Sequence, residues 1–195
     1  MISKPPLSRQ QAYDLVRAHN DEPADLNHYL ESEAVMSALA RRLGEDEETW
    51  GLLGLLHDVD WGATKADLAQ HLTHAPQILR EAGCGEDFIE AVLSHGYGTV
   101  CAGLQDRRRS QPVERALACA ETVTGLIHAY ALMRGSMEGM AVKGLRKKFK
   151  DRKFAAGVDR DIILECERLG LTLDEFLQLA IDAIREIAPE VGLEK

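Results

Sequence analysis

The sequence is poor in pairable cysteine, in long apolar runs and in strand-like alternation. Its four cysteines, Cys84, Cys101, Cys119 and Cys166, are scattered and form no CxxC pair. That argues against a disulfide framework and reads as reduced, cytosolic usage. No run of consecutive apolar residues approaches the ~18 that a membrane span requires. The opening MISKPPLSRQ lacks the apolar stretch of a signal peptide. A cytoplasmic chain with no membrane partner is expected. Positive charge is also scarce: 23 Lys and Arg against 32 Asp and Glu leave a net charge of -9. This disfavours nucleic acid as a bulk partner, because a phosphate backbone needs positive faces. A small anionic ligand in a local cationic pocket is still allowed. Nothing in the composition bears on oligomeric state.

Helical patterning fills the space that alternation leaves. With 195 residues, 45% of them hydrophobic, one well-buried core is within reach. A first helix is predicted over 8–19, with Ser8 as N-cap. HNDEPADLN reads as a polar link, and a long helix over 27–43 stops at Gly44. EDEETW opens a helix that runs through the leucines to His57, and DVDWGATKAD reads as a loop. Helices follow over 73–82, with Pro76 in the first turn, and over 86–95. After the loop QDRRRSQP, a long and mostly apolar helix spans 112–134 and ends at Gly135. Helices over 137–150 and 158–169 precede an amphipathic final helix from Thr172 or Leu173. The fold class expected is all-α, as one domain over 1–195. Its core would cover about 24–135, with a helical extension over about 136–195 packed on it.

Several polar residues sit where this pattern expects core. His28 shares a helical face with Val35 and Leu39, since successive residues turn by ~100°. Alone it reads as a core histidine with a hydrogen-bond partner. GLLGLLHDVDW drives an apolar helix into His57 and Asp58. A buried carboxylate is costly unless paired or metal-bound. Alone, the pair reads as a helix end with a capping Asp. Glu121 lies on a stripe with Leu117, Thr124 and Leu132 in the middle of the long helix; a salt bridge to an arginine competes with a ligand role. His71 and His95 each stand at a helix edge beside a loop. His74, His128 and His19 carry weaker claims. Taken together, histidines and carboxylates from separate helices could give one metal an N2O2 shell, with His71 and His95 supporting a second. Such donors suit zinc, iron, manganese, cobalt or nickel rather than calcium.

The order His28, His57-Asp58, then an acidic residue in a long helix resembles the HD superfamily of metal-dependent phosphohydrolases. NHYLESEAVMSALARRLG resembles that family's first-histidine helix, and WGLLGLLHDVDW its HD helix. HLTHAPQIL and AVLSHGYG resemble the segments with extra histidines in HDIG-type members, and ALACAETVTGLIHAYALMR the last-ligand helix. KGLRKKFKDRKFAAGVDRDIILECERLGL resembles the following region of a bacterial HDIG-domain group. The resemblance implies a helical bundle with a central metal site of one or two ions. It implies His28, His57, Asp58 and Glu121 as first-metal ligands, and His71 and His95 as second-metal ligands. Asp58 could bridge two ions, and His71 or His95 could contact phosphate or act as general acid; these three are the catalytic candidates. Glu121 departs from the family's usual Asp by one methylene. The activity implied is hydrolysis of a small phosphate ester or nucleotide by a water whose pKa a metal lowers. A dinuclear iron oxygenase and a non-catalytic metal-holding module are the alternatives.

KGLRKKFKDRK, 143–153, holds seven Lys or Arg against one Asp. It reads first as a solvated helix face with Phe149 turned inward. As an anion-attracting wall, its candidates for substrate phosphate are Lys147 and Lys148. Arg107, Arg108 and Arg109 read as loop surface that could also meet phosphate.

Overall fold

The first and last helices start where side chains complete their unpaired backbone groups. Ser8 accepts from the Gln11 amide at 3.3 Å while the Gln11 side chain accepts from the Ser8 amide at 2.9 Å, a reciprocal cap. Thr172 and Glu175 repeat it at the last helix, at 3.3 and 2.8 Å. In the computed structural model, which describes residues 2–194, the chain is all-α. Its helices are α1 (Arg9–His19), α2 (Pro23–Leu43), α3 (Glu47–Leu56), α4 (Trp61–Thr64), α5 (Ala75–Glu81), α6 (Glu86–Leu93), α7 (Pro112–Arg134), α8 (Val142–Lys150), α9 (Arg160–Ile163) and α10 (Leu173–Glu186). Single 3-10 stretches lie at 68–70, 94–96, 101–103 and 164–169. No strand occurs among the described residues.

Four expectations are corrected. The predicted polar link is shorter, because α2 begins at Pro23: proline lacks an amide hydrogen and is suited to a first helical position. The stretch DVDWGATKAD is not all loop, since Trp61–Thr64 makes one helical turn. The predicted helices over 137–150 and 158–169 are also shorter: α8 starts at Val142, and α9 gives way to a 3-10 stretch at Leu164.

Helix α3 is buried on every side, with Leu52, Leu53, Leu55 and Leu56 at 1% exposure or less. A helix that is apolar all round belongs in a core, and each such leucine contributes about 1.5–3 kcal/mol by leaving water. It runs antiparallel to α2 at close range. A Cβ on Gly54 would meet the Ser32 carbonyl oxygen at 2.5 Å, and one on Gly51 the Ser37 Oγ at 2.6 Å. Glycine at these two positions lets the helices meet backbone to backbone, so His28 on α2 and His57 just after α3 come together.

Helix α7 crosses the middle of the bundle, packing on α2, α6 and the 164–169 stretch. It is long and apolar enough, by length and composition, to cross a membrane, but Leu117, Val123, Leu126 and Ile127 are fully buried within the bundle. Helix α10 packs on α2, α7 and α8 and brings Phe176, Leu177, Ile181 and Ile184 into the same apolar core.

Candidate metal centre

Each histidine of the cluster is held by its Nδ1 atom. His57 donates to the Gly54 carbonyl at 2.7 Å, one helical turn back. His95 does the same to Val92 at 2.7 Å. His71 Nδ1 lies 3.1 Å from Asp60 Oδ1. His28 Nδ1 lies 2.9 Å from Thr124 Oγ1, and that hydroxyl already donates to the Glu121 carbonyl at 2.6 Å. Thr124 must therefore accept, so His28 Nδ1 carries the hydrogen. Carbonyl and carboxylate partners fix the same tautomer in the other three. In the neutral rings all four Nε2 atoms then present lone pairs inward.

Those lone pairs face each other around Asp58. The Nε2 atoms of His28 and His57 are 3.1 Å apart, and those of His71 and His95 are 3.2 Å apart. Two lone pairs at such range repel unless a cation or a proton lies between them. Asp58 Oδ2 lies 3.8 Å from His28 Nε2 and 3.5 Å from His57 Nε2. Its Oδ1 lies 3.2 Å from both His71 Nε2 and His95 Nε2. The carboxylate thus faces one histidine pair with each oxygen. The donor atoms fall into two groups that could each hold a metal ion, His28–His57–Asp58 and Asp58–His71–His95. Both match the chemistry of transition-metal sites, in which a ligating imidazole gives its second N–H to an anchoring acceptor.

The electrostatics differ between the rings. Burial holds His57 down, to about 3, so it is a neutral donor. Burial would also lower His71, but its hydrogen bonds to Asp58 and Asp60 outweigh that and raise it to about 10. Burial opposes the charge on Asp58, yet His57, His71 and His95 hold its carboxyl well below the usual carboxylate range.

The backbone around the centre is pinned. Asp60, 1% exposed, accepts from the amides of Leu72, His74 and Ala75 at 3.2, 3.0 and 3.1 Å. It thereby fixes the loop after His71, including Leu72, whose φ of 69° is left-handed and carries a strain of about 1 kcal/mol. Arg109 donates to the carbonyls of Ser94, His95 and Tyr97 at 3.2, 3.3 and 2.8 Å and pairs with Glu165 at 2.7 Å. It is a largely buried clamp on the His95 turn, not the loop surface expected of it.

Glu121 occupies the wall of the pocket above Asp58, but its carboxylate belongs to neither ligand group. Burial raises its pKa, and its oxygen accepts from the Thr122 hydroxyl. Lys147 lines a separate depression with Arg146 and Asp174. Lys148 lies over the Phe154 ring at 4.7 Å, and neither lysine lines the pocket of the cluster. Phe149 is turned inward at 9% exposure. His128 pairs with Glu31 at 2.5 Å instead of reaching the centre, and His74 contributes its backbone amide to Asp60.

Asp60, Thr124 and Arg109 were not found as site residues from the sequence. The available signal for Asp60 was its place two residues after Asp58, on the same short turn. Thr124 and Arg109 act by hydrogen bonds that no residue spacing reveals. The family model for the HD domain matches residues 25–122, half of the chain, and spans all six candidate ligands. No curated protein and no solved structure matches the chain.

Proposed function

The chain belongs to the HD domain family, and on that premise we propose that it is a metal-dependent phosphohydrolase acting on a phosphate ester. The observation that carries this reading is the convergence of four Nε2 atoms on the two oxygens of Asp58, each ring fixed by its Nδ1 hydrogen bond. A divalent ion among iron, manganese, zinc, cobalt and nickel, held there, would supply Lewis acidity and a bound water of lowered pKa.

The chain's own residues do the rest. Asp58 balances the charge of either ligand group and joins the two. Gly54, Val92, Thr124 and Asp60 keep the imidazoles in the donor tautomer, so no reorganisation is needed when a ligand arrives. Were only the His28–His57–Asp58 group to hold an ion, His71, set between Asp58 and Asp60, would be free to take up a second proton at Nε2. That Nε2–H would donate to a phosphoryl oxygen or a leaving group. Trp61 packs edge-on against His71, with ring centroids 5.0 Å apart, and keeps water from that side of the ring.

A second reading is a dinuclear iron oxygenase, favoured by the carboxylate set between two histidine pairs. Metal content and phosphate release separate the two. Purified protein is analysed for bound metal and assayed on a panel of phosphate esters, beside Asp58→Ala. Metal-dependent release that Asp58→Ala abolishes supports the hydrolase. Bound iron with no release but oxygen-dependent turnover selects the oxygenase. Bound metal with neither activity selects a non-catalytic module.

A further inference from the structure

The pocket over the centre, about 420 Å³ in volume, has no lysine or arginine among the described residues that line it. Beyond the histidines, the Thr99 and Thr122 hydroxyls and the glycines, its walls are apolar or acidic. Trp61, Leu68, Val158 and Ile162 supply apolar surface, and Glu121 and Asp159 supply carboxylates. Leu68 is 49% exposed at the rim, and Val100, 57% exposed, stands between the lining residues Thr99 and Cys101. Outside the candidate ligands, no described residue lining this pocket carries a positive charge that would neutralise a second anionic group on a ligand.

One wall comes from outside the matched family segment. Residues 157–159 and Ile162 close the pocket from the C-terminal region. Arg160, 1% exposed, fixes that loop from beneath by donating to the carbonyls of Phe154, Ala155 and Val158, the latter two at 2.6 Å each. Asp159 accepts from the Asp161 and Ile162 amides at 2.8 and 3.4 Å, which holds its carboxylate in place. An ester whose phosphoryl group reaches Asp58 must lay its organic part along these residues. A further negative charge on that part would face the Glu121 and Asp159 carboxylates, and like charges repel.

We propose that the centre selects phosphate monoesters whose organic group is largely apolar and carries no negative charge of its own, and that Asp159 and Glu121 exclude nucleoside di- and triphosphates. This rests on the phosphate-ester reading above. The test uses non-hydrolysable phosphonates and calorimetry, so that turnover is not required. Phenylphosphonate and 4-carboxyphenylphosphonate are titrated into the manganese-loaded full chain. Phenylphosphonate is expected to bind about tenfold or more tightly than its carboxylate derivative. Asp159→Asn, which retains a capping side chain, is expected to narrow that gap severalfold. Equal affinities in the wild-type protein, or tighter binding of the carboxylate derivative, would overturn the substrate class. A gap that Asp159→Asn leaves unchanged would overturn the role of Asp159. Binding of neither phosphonate would overturn the phosphate-ester reading itself.

Discussion

Asp60 Oδ1 lies 3.1 Å from His71 Nδ1, while the other oxygen of the same carboxylate accepts two backbone amides at 3.0 and 3.1 Å. One buried side chain therefore orients a candidate ligand and builds the loop that carries it. Asp60→Asn keeps the shape but replaces one acceptor by a donor, so either His71 or the amides of His74 and Ala75 lose their partner. The expected result is a ten- to hundredfold loss of metal affinity, in the ~10–100-fold range typical of such supporting groups, concentrated in the Asp58–His71–His95 group. Metal titration followed by calorimetry checks it; an affinity equal to wild type would refute the supporting role.

The approach of α2 to α3 gives a second expectation. Gly54→Ala places a methyl group 2.5 Å from the Ser32 carbonyl oxygen. The helices must separate, at a cost of about 1–3 kcal/mol, and His28 must move away from His57. Thermal unfolding of the metal-free protein should show the loss of stability. Metal binding should weaken more at the His28–His57–Asp58 group than at the other.

The sequence and the structure divide at the point where contacts become non-local. Periodicity and caps made most helices readable: Ser8, Thr172, Gly44 and Gly135 mark their ends by local chemistry. His28 and His57 were readable because each sits on an otherwise apolar face. The start of α2 was missed because HNDEPADLN is polar, and polarity masked a proline suited to a first turn. Nothing local distinguishes Asp60 from other loop acids, since the amides it binds follow only once the chain has turned back at His71. Arg109 sits in a run of three arginines, and only folding distinguishes the clamp on residues 94–97 from its exposed neighbours.

Glu121 offers a graded test of the ligand set. Its carboxylate lies outside both groups, whereas Asp58 belongs to both. Asp58→Ala should abolish metal retention through dialysis. Glu121→Ala should retain measurable metal, with a smaller loss of affinity. Metal analysis of the two variants in parallel decides it: equal and complete loss would make Glu121 an obligatory ligand. Glu121→Asp, which shortens the side chain by one methylene, then reads whether reach or charge matters at this wall.

The Glu31–His128 pair links α2 to α7 away from the candidate metal centre, and it makes a pH prediction. Glu31 is 1% exposed, and its hydrogen bond raises the pKa of His128 above the ordinary 6.5 against a smaller opposing effect of burial. The folded state therefore binds a proton more tightly than the unfolded chain. That stabilisation is fully present below about pH 6.5, the unfolded value, and is lost as pH rises through the raised folded value. His128→Gln removes the titrating group while leaving a donor for Glu31. Its deficit in unfolding free energy relative to wild type should be largest in the acidic range and shrink as pH rises, reaching at most about 1–3 kcal/mol. Denaturant unfolding of both proteins across this range measures it. A deficit that grows with pH would mean that the charged imidazole is not what joins the two helices.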